Sequence, residues 1–135
     1  MSSHDGKVVA ANILDGNCHR PDYRGVPSVA FTLPPIASVG LSEAVARQQT
    51  PKLLVKSAMV PDWYTARRIG ESVYAYKTLV EEDSGRILGA HLVGPHADEV
   101  INLFGLAIRH DLTADDLKGT MFAYPTGASD IGYML

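Results

Sequence analysis

Apolar residues alternate with polar ones, or are grouped between turn residues, in the pattern of β-strands over the middle of the chain. The longest such segments are residues 52–60, 72–82 and 86–94. The last two flank the turn sequence DSG, in which Gly85 can adopt a left-handed backbone conformation. We therefore expect an antiparallel hairpin at this point.

Two shorter apolar segments precede these strands, at residues 28–32 and 36–42. Pro34 and Pro35 stand between them, and a proline cannot donate a hydrogen bond to a neighbouring strand. The pattern therefore predicts two short strands rather than one long one. Folding proper is expected to start at Pro27.

The strongest helical pattern is HADEVINLFGLAIRH, residues 96–110, with acidic residues in its first turn and basic residues in its last. Its apolar residues cover more than one face of a helix. Two interpretations remain open for this broad surface: burial in the core and a subunit interface. The residues concerned are Val100, Ile101, Leu103, Phe104, Leu106, Ala107 and Ile108.

Three shorter helices complete the predicted elements. Ser42 is a suitable cap for residues 43–49, Thr113 begins a second capped segment at residues 113–119, and residues 7–14 form a short helical tail. The order of elements predicts an α+β fold, in which helices cover one side of an antiparallel sheet.

Composition limits the classes of protein to consider. The chain has 135 residues, 46% hydrophobic and 20% charged, which is typical of one globular domain. Its net charge of −3 and scattered basic residues argue against nucleic acid as a partner. No apolar run is long enough to span a membrane, so we expect a cytoplasmic protein. The single cysteine, Cys18, excludes a disulfide within the chain.

Other candidate sites are weak. His91 and His96 precede Asp98, but their five-residue spacing matches neither a helical nor a strand metal face, so we predict no metal site. Cys18 stands beside His19 in a turn-rich connection with no clear activating group nearby, so we expect an inert exposed thiol. No glycine-rich loop of a dinucleotide or phosphate site is present.

Trp63, Tyr64, Arg67 and Arg68 form an aromatic and basic group that could stack on a base or hold a phosphate. Exposed aromatic side chains also serve protein interfaces. We therefore favour packing at an edge over a ligand site for this group.

Three separated blocks of the chain resemble, in order, the C-terminal dimerisation domain of pyridine nucleotide-disulfide oxidoreductases. This family includes glutathione reductase, dihydrolipoamide dehydrogenase and mercuric reductase. The resemblance covers nearly everything from Val8 onward. The blocks are AANILDGN with PDYRGVPSVAFTLPPIASVGLSE, then ILGAHLVGPHADEVINLFGLAIRHDLTADDL, then YPTGASD.

The resemblance implies that the chain is the C-terminal part of a longer homodimeric flavoenzyme that uses FAD and NAD(P)H. Residues 1–26 would be the tail of a preceding FAD domain and a connection, and residues 27–135 the dimerisation domain. The chain would contact the FAD and NAD(P) domains of its own parent. A freestanding, non-catalytic dimerisation or binding module of the same fold is the alternative.

The resemblance also gives a meaning to the C-terminal segment. The family tail reads His-Pro-Thr with a glutamate five positions after the histidine, and each subunit presents this acid-base pair to its partner's flavin and disulfide. Here Tyr124 occupies the histidine position, Ser129 occupies the glutamate position, and Asp130 follows one residue late. Tyr124, Pro125 and Thr126 would thus lie near the partner's flavin.

This replacement changes the chemistry that the tail can perform. A histidine with an ordinary pKa of about 6.5 exchanges protons near neutrality, whereas a tyrosine phenol, with an ordinary pKa of about 10, keeps its proton. That difference corresponds to about 5 kcal/mol of proton affinity. We expect hydrogen bonding by the tyrosine rather than proton abstraction, which puts ordinary disulfide reduction in doubt.

The chain is expected to fold without binding flavin, because the glycine loops that hold FAD phosphates are missing from it. The absorbance spectrum of the purified 135-residue chain, before and after incubation with excess FAD and desalting, tests this expectation. A stoichiometric flavin absorbance that survives desalting would contradict it.

Overall fold

A computed structural model describes the fold of residues 2–135. This fold is α+β and is built on one five-stranded sheet. None of the helices in this range is long and apolar enough to cross a membrane. In chain order the elements are α1 (Ser2–Asp15), β1 (Ser28–Ala30), β2 (Ile36–Gly40), α2 (Glu43–Gln49), β3 (Leu53–Met59), α3 (Tyr64–Arg67), β4 (Ala75–Glu81), β5 (Ile87–Val93), α4 (Ala97–Arg109), α5 (Ala114–Gly119), a 3-10 helix (Gly127–Asp130) and α6 (Ile131–Met134).

The strands pair in the order β1-β2-β5-β4-β3, and every pair is antiparallel. The predicted hairpin is confirmed: β4 and β5 are joined through Gly85, whose φ is +70°. Pro34 and Pro35 separate β1 from β2, as predicted. The strands are a few residues shorter at their ends than the predicted segments, and β1 has only three residues.

Helix α4 packs against β2 and β5 and supplies much of the core. Phe104 is fully buried within the single chain, at 0% exposure. The apolar residues on the sheet-facing side of α4 therefore belong to the core, as the first interpretation predicted. These residues cannot also form a subunit interface. Leu106, at 53% exposure, is the large apolar side chain that α4 leaves on its outer side.

The two faces of the sheet are covered by different helices. Thr78 points toward the C-terminal helix, where its hydroxyl donates to the carbonyl of Met134 at 2.6 Å. Its neighbour Lys77 points to the opposite face, because side chains alternate along a strand, and its Nζ lies 2.9 Å from the Glu43 carboxylate of α2. The expectation that all helices lie on one side is thus wrong, since α2 covers part of the second face.

The connection before β1 lies as a strap across the back of α4. Gly105 faces it, and a Cβ atom at position 105 would lie 2.7 Å from the carbonyl oxygen of Gly25. Arg24 donates to the carbonyl of Arg109 at 2.6 Å, and Arg109 donates back to the carbonyl of Arg24 at 3.3 Å. Arg24 also contacts Asp111 at 3.1 Å. These contacts attach the strap to the C-terminal half of the helix.

Helix α1 is longer than the predicted tail and has no buried residue. Its end is held by Asn12, which accepts from the amide of His19 at 2.7 Å and donates to the carbonyl of the same residue at 3.0 Å. Cys18 is exposed, as expected, and its thiol lies 3.6 Å from the carbonyl oxygen of Asp15.

A buried hydrogen bond joins the C-terminal segment to the sheet. The hydroxyl of Tyr74 donates to a carboxylate oxygen of Asp130 at 2.9 Å, and both residues are buried. Burial raises the pKa of Tyr74 well above its usual value, and the neighbouring Asp130 charge raises it further. The phenol therefore stays protonated and serves as a donor to the buried carboxylate.

We predict that Tyr74→Phe lowers the free energy of unfolding by about 1.5–3 kcal/mol at neutral pH, the usual range for a hydrogen bond to a charged group. Asp130 would lose its buried donor while the apolar packing of the ring remained. Urea unfolding followed by the fluorescence of Trp63, which packs 5.9 Å from the Tyr74 ring, measures the change. Tyr133→Phe, at an exposed position, is the control and should change stability by less than about 0.5 kcal/mol.

Tyr74→Phe should also change how the free energy of unfolding decreases at alkaline pH. Because the folded-state pKa of Tyr74 is raised, its contribution is complete below pH ~10 and is lost as the pH rises, when the unfolded phenol releases its proton first. The loss from this group approaches ~1.4 kcal/mol per pH unit. Tyr74→Phe should therefore show a shallower decline above pH ~10 than the wild type. Parallel declines in the two proteins would contradict the assignment.

Candidate functional site

The C-terminal tail begins after α5 and turns at Tyr124-Pro125, whose peptide bond is cis. Thr126 then caps the 3-10 helix. Its side chain accepts from the amide of Ser129 at 3.3 Å, and the Ser129 hydroxyl oxygen accepts from the amide of Thr126 at 3.3 Å. The Thr126 hydroxyl also donates to the carbonyl of Ala123 at 2.5 Å. Hydrogen bonds among residues 123–129 therefore hold this part of the tail in place.

The Ser129 hydroxyl takes part in this cap both as donor and as acceptor. It donates to the carbonyl of Thr126 at 2.6 Å in addition to accepting from the Thr126 amide. A serine carries no carboxylate that could hold and charge an imidazole. The Thr-x-x-Ser spacing is a variant of the capping box, a signal that the sequence did contain.

Gly127 seats the tail on the first turn of α4. A Cβ atom at position 127 would lie 2.9 Å from Cγ2 of Val100 and 3.1 Å from Cβ of His96. Only a residue without a side chain allows the backbone to approach the helix this closely. His96, which precedes α4, has a φ of +61°. The contact with Gly127 therefore joins the tail to the turn that begins α4.

Tyr124 projects from the tail into solvent, with 76% of its surface exposed. Its ring lies 6.2 Å from the ring of Tyr64, at an interplanar angle of 32°. Asp130 is the carboxylate nearest in sequence and accepts from Tyr74, and the Ser129 hydroxyl bonds to Thr126. Within residues 2–135 the structure thus brings no base to the Tyr124 hydroxyl.

A groove of about 620 Å³ runs between the tail and α4. Residues 125–128 form one wall, and Val100 and Leu103 contribute apolar surface on the other. The other polar and charged residues that line it are Arg68, His96, Glu99 and Asn102. Sequence reasoning did not join Arg68 to the tail, because the two are far apart along the chain and meet only in the folded protein.

The aromatic and basic group divides into two parts. Trp63 packs against the rings of Tyr74, Tyr76 and Tyr133, at centroid distances of 5.9, 5.7 and 5.9 Å. Tyr64 and the two arginines at positions 67 and 68 are exposed. Trp63 therefore serves packing, as favoured, while Tyr64 belongs to the surface around the tail.

The two histidines considered for metal binding lie in different surroundings. His91 is on β5, where its Nε2 lies 3.2 Å from the carbonyl oxygen of Leu41, and His96 precedes α4. Across residues 2–135, no group of three or more histidine, cysteine, aspartate or glutamate side chains could hold a metal ion.

Two known proteins with similar sequences differ in how much of their length this chain covers. An uncharacterized 19.7 kDa protein in a mercuric resistance operon of Staphylococcus aureus is 45% identical over 135 residues, which are the whole chain and 75% of that protein. Dihydrolipoyl dehydrogenase of Chlamydia muridarum is 41% identical over 126 residues, which are 93% of the chain and 27% of that enzyme. The chain thus spans three quarters of one relative and about a quarter of the other.

The fold and the sequence both lead to one family. The Cu(II) complex of RclA, an HOCl-induced flavoprotein disulfide reductase from Escherichia coli, has a TM-score of 0.87 and 25% identity, over 98% of the chain and 30% of that protein. Residues 26–134 match the family described as pyridine nucleotide-disulphide oxidoreductase, dimerisation domain. With its five-stranded antiparallel sheet and the tail seated on α4, the chain belongs to this family as its dimerisation domain.

Proposed function

We propose that this chain is the dimerisation domain of a homodimeric, FAD-dependent NAD(P)H oxidoreductase in which Tyr124 and Ser129 stand at the positions of the family's histidine and glutamate. Residues 1–26 would be the end of the FAD domain and the connection, and residues 27–135 the dimerisation domain. In the parent enzyme Tyr124 would lie near the partner's flavin. It would donate a hydrogen bond there rather than abstract a proton.

The observation that carries this proposal is the isolation of the Tyr124 hydroxyl from any base of the tail. Ser129 is used by its own cap, and Asp130 accepts from Tyr74. General-base chemistry requires a group that can take up a proton near the working pH, usually held by an orienting partner. A phenol without such a partner fits the role of a neutral donor.

The cofactor roles follow the same logic. FAD and NAD(P)H would be bound by the other domains of the parent, and FAD would supply the electron transfer. Tyr124 and Pro125 are exposed on a tail that is fixed at Thr126 and Gly127, which suits contact with a group presented by another chain. The chain's own contribution is then to position a hydrogen-bond donor and apolar surface beside that group.

A second function is favoured by the size of one relative. The 19.7 kDa protein matches this chain over 75% of its own length, and the remaining quarter is shorter than a typical domain. A freestanding dimerisation or binding module, without nucleotide-binding domains, would fit such a protein. The genomic sequence upstream of Met1 separates the two functions: glycine-rich FAD and NAD(P) motifs in the same reading frame favour the oxidoreductase, and their absence favours the module.

We expect Tyr124→Phe in the full-length parent to reduce kcat/KM by no more than about tenfold, since one neutral hydrogen bond contributes about 0.5–1.5 kcal/mol. The assay uses NAD(P)H with a panel of acceptors: a disulfide, a quinone and metal ions. Metal ions are included because one relative is named for a mercuric resistance operon and one solved structure holds Cu(II). Steady-state kinetics with the best acceptor give the ratio.

Tyr133→Phe is the matched control, because Tyr133 is also an exposed phenol, at 71% exposure, in the C-terminal segment. If kcat/KM fell about a thousandfold in Tyr124→Phe but not in Tyr133→Phe, with dimer and fold intact, the loss would be as large as that expected for an acid-base group. Such a result would make Tyr124 a proton-transferring residue and contradict the proposal.

We also expect the chain to self-associate through the outer side of α4 and the neighbouring sheet edge. Phe104 is buried, so the contact would depend on Leu106, which is 53% exposed. Leu106→Glu should convert a dimer to a monomer, because a charged side chain in the centre of an interface carries a desolvation cost. Light scattering of the chain at concentrations of tens of micromolar gives the oligomeric state.

Leu54→Glu provides a control of the same chemistry, because Leu54 is 51% exposed on β3, the sheet edge farthest from β1. It should leave the dimer intact. A wild-type chain that is monomeric at these concentrations, or a dimer that Leu54→Glu disrupts and Leu106→Glu does not, would show that α4 is not the interface.

A further inference from the structure

Tyr64 and Tyr124 form a pair of exposed phenols on the surface around the tail. Their ring centroids are 6.2 Å apart and the planes are inclined by 32°. Tyr64 is 52% exposed and Tyr124 is 76% exposed. Tyr64 lies in the first turn of α3 and Tyr124 just before the 3-10 helix, so the pair joins segments that are distant in the chain.

The other tyrosines of the chain lack this combination of exposure and a tyrosine neighbour. Tyr74 and Tyr76 are buried in the core. Tyr133 is exposed, but the ring packed beside it belongs to Trp63. Tyr23 has the ring of His4 as its neighbour, at 6.3 Å.

We propose that Tyr64 and Tyr124 are a site of oxidative modification, at which a one-electron oxidant generated from a peroxide joins the two rings as an intramolecular dityrosine. The proposal needs only a single folded chain and does not depend on the flavoenzyme function. Tyrosine oxidation of this kind requires two phenols that an oxidant can reach and that can approach each other, and this pair meets both conditions.

The reaction balances without a further reactant. Each phenol loses one electron and one proton and becomes a phenoxyl radical. The two radicals couple through a carbon ortho to each oxygen, forming one C–C bond, and the ring hydrogens then move to the oxygens to restore both phenols. Two hydrogen atoms leave the protein in total, and one molecule of hydrogen peroxide that accepts them is reduced to two molecules of water.

The crosslink would tie the tail to α3. Tyr124 is the exposed end of a tail whose other contacts, at Gly127 and Asp130, are fixed. A covalent bond to Tyr64 would therefore hold the ring against its own chain. The crosslinked ring would stay beside Tyr64, where the structure has it, and the tail could no longer move Tyr124 away from α3.

The test uses the 135-residue chain with Cys18→Ser in every variant, because the exposed thiol would otherwise consume radicals. A ruthenium(II) tris-bipyridyl complex with persulfate, under visible light, supplies the one-electron oxidant, and persulfate ends as sulfate. Protein is kept at low micromolar concentration so that coupling between chains is rare. Dityrosine fluorescence is measured in the band of monomeric mass, and peptide mass spectrometry locates the bond.

We expect a product of monomeric mass, lighter by two hydrogen atoms, with the peptides that contain Tyr64 and Tyr124 joined. Tyr64→Phe and Tyr124→Phe should each lower its yield at least about tenfold, because the favourable placement of the two rings is lost. Tyr133→Phe removes an equally accessible phenol and should leave the yield within about twofold, as expected for a ring outside the reacting pair.

Three results would overturn the assignment. One is dityrosine found only between chains. Another is a yield that survives in either single variant of the pair. The third is an equal loss in Tyr133→Phe. The three positions are exposed, so near-ultraviolet circular dichroism should show the same fold in each variant. Tyr64→Trp and Tyr124→Trp provide a second set of variants, because they keep a large ring but have no phenol.

Discussion

The packing of α4 against the sheet determines where the strap and the tail can lie. The buried side of the helix holds Phe104 and its neighbours against β2 and β5. Two segments approach its remaining surface at glycines: the strap crosses at Gly105, and Gly127 of the tail rests on Val100. Because backbone cannot approach a helix closely past a side chain, these glycines set the distances at which both segments attach.

The position of Tyr124 follows from how the tail satisfies its polar groups. Thr126 and Ser129 pair with each other, and Asp130 turns inward to Tyr74. A buried carboxylate needs donors, since an unpaired charge in the interior is costly. The Ser129 hydroxyl and the Asp130 carboxylate are therefore engaged by other residues, and Tyr124 stays on the surface with 76% exposure.

Much of the fold could be predicted from local signals in the sequence. The cap at Ser42 accepts from Val45, Thr113 forms a full capping box with Asp116, and Gly85 occupies a left-handed turn. Each signal acts within a few residues, and so it can be recognised in the sequence alone.

The features that sequence reasoning missed depend on contacts between distant segments. α3 and the 3-10 helix span only four residues each, too short for a periodic pattern. The placement of α2 on the second face is seen in the pairing of Glu43 with Lys77, and the role of Asp130 is seen in its hydrogen bond with Tyr74. For the candidate site, the resemblance located Tyr124 and Ser129, but only the fold showed that Asp130 is directed away from them.

The anchoring of the tail and its chemistry use different atoms. Gly127 contacts α4 through its backbone, Asp130 bonds to Tyr74, and the cap involves Thr126 and Ser129. None of these contacts uses the Tyr124 side chain, which has solvent on most of its surface. A change at position 124 therefore alters what the tail presents to another molecule while the interactions that hold the tail are kept. The fold and the conformation of the tail therefore do not depend on the side chain at position 124.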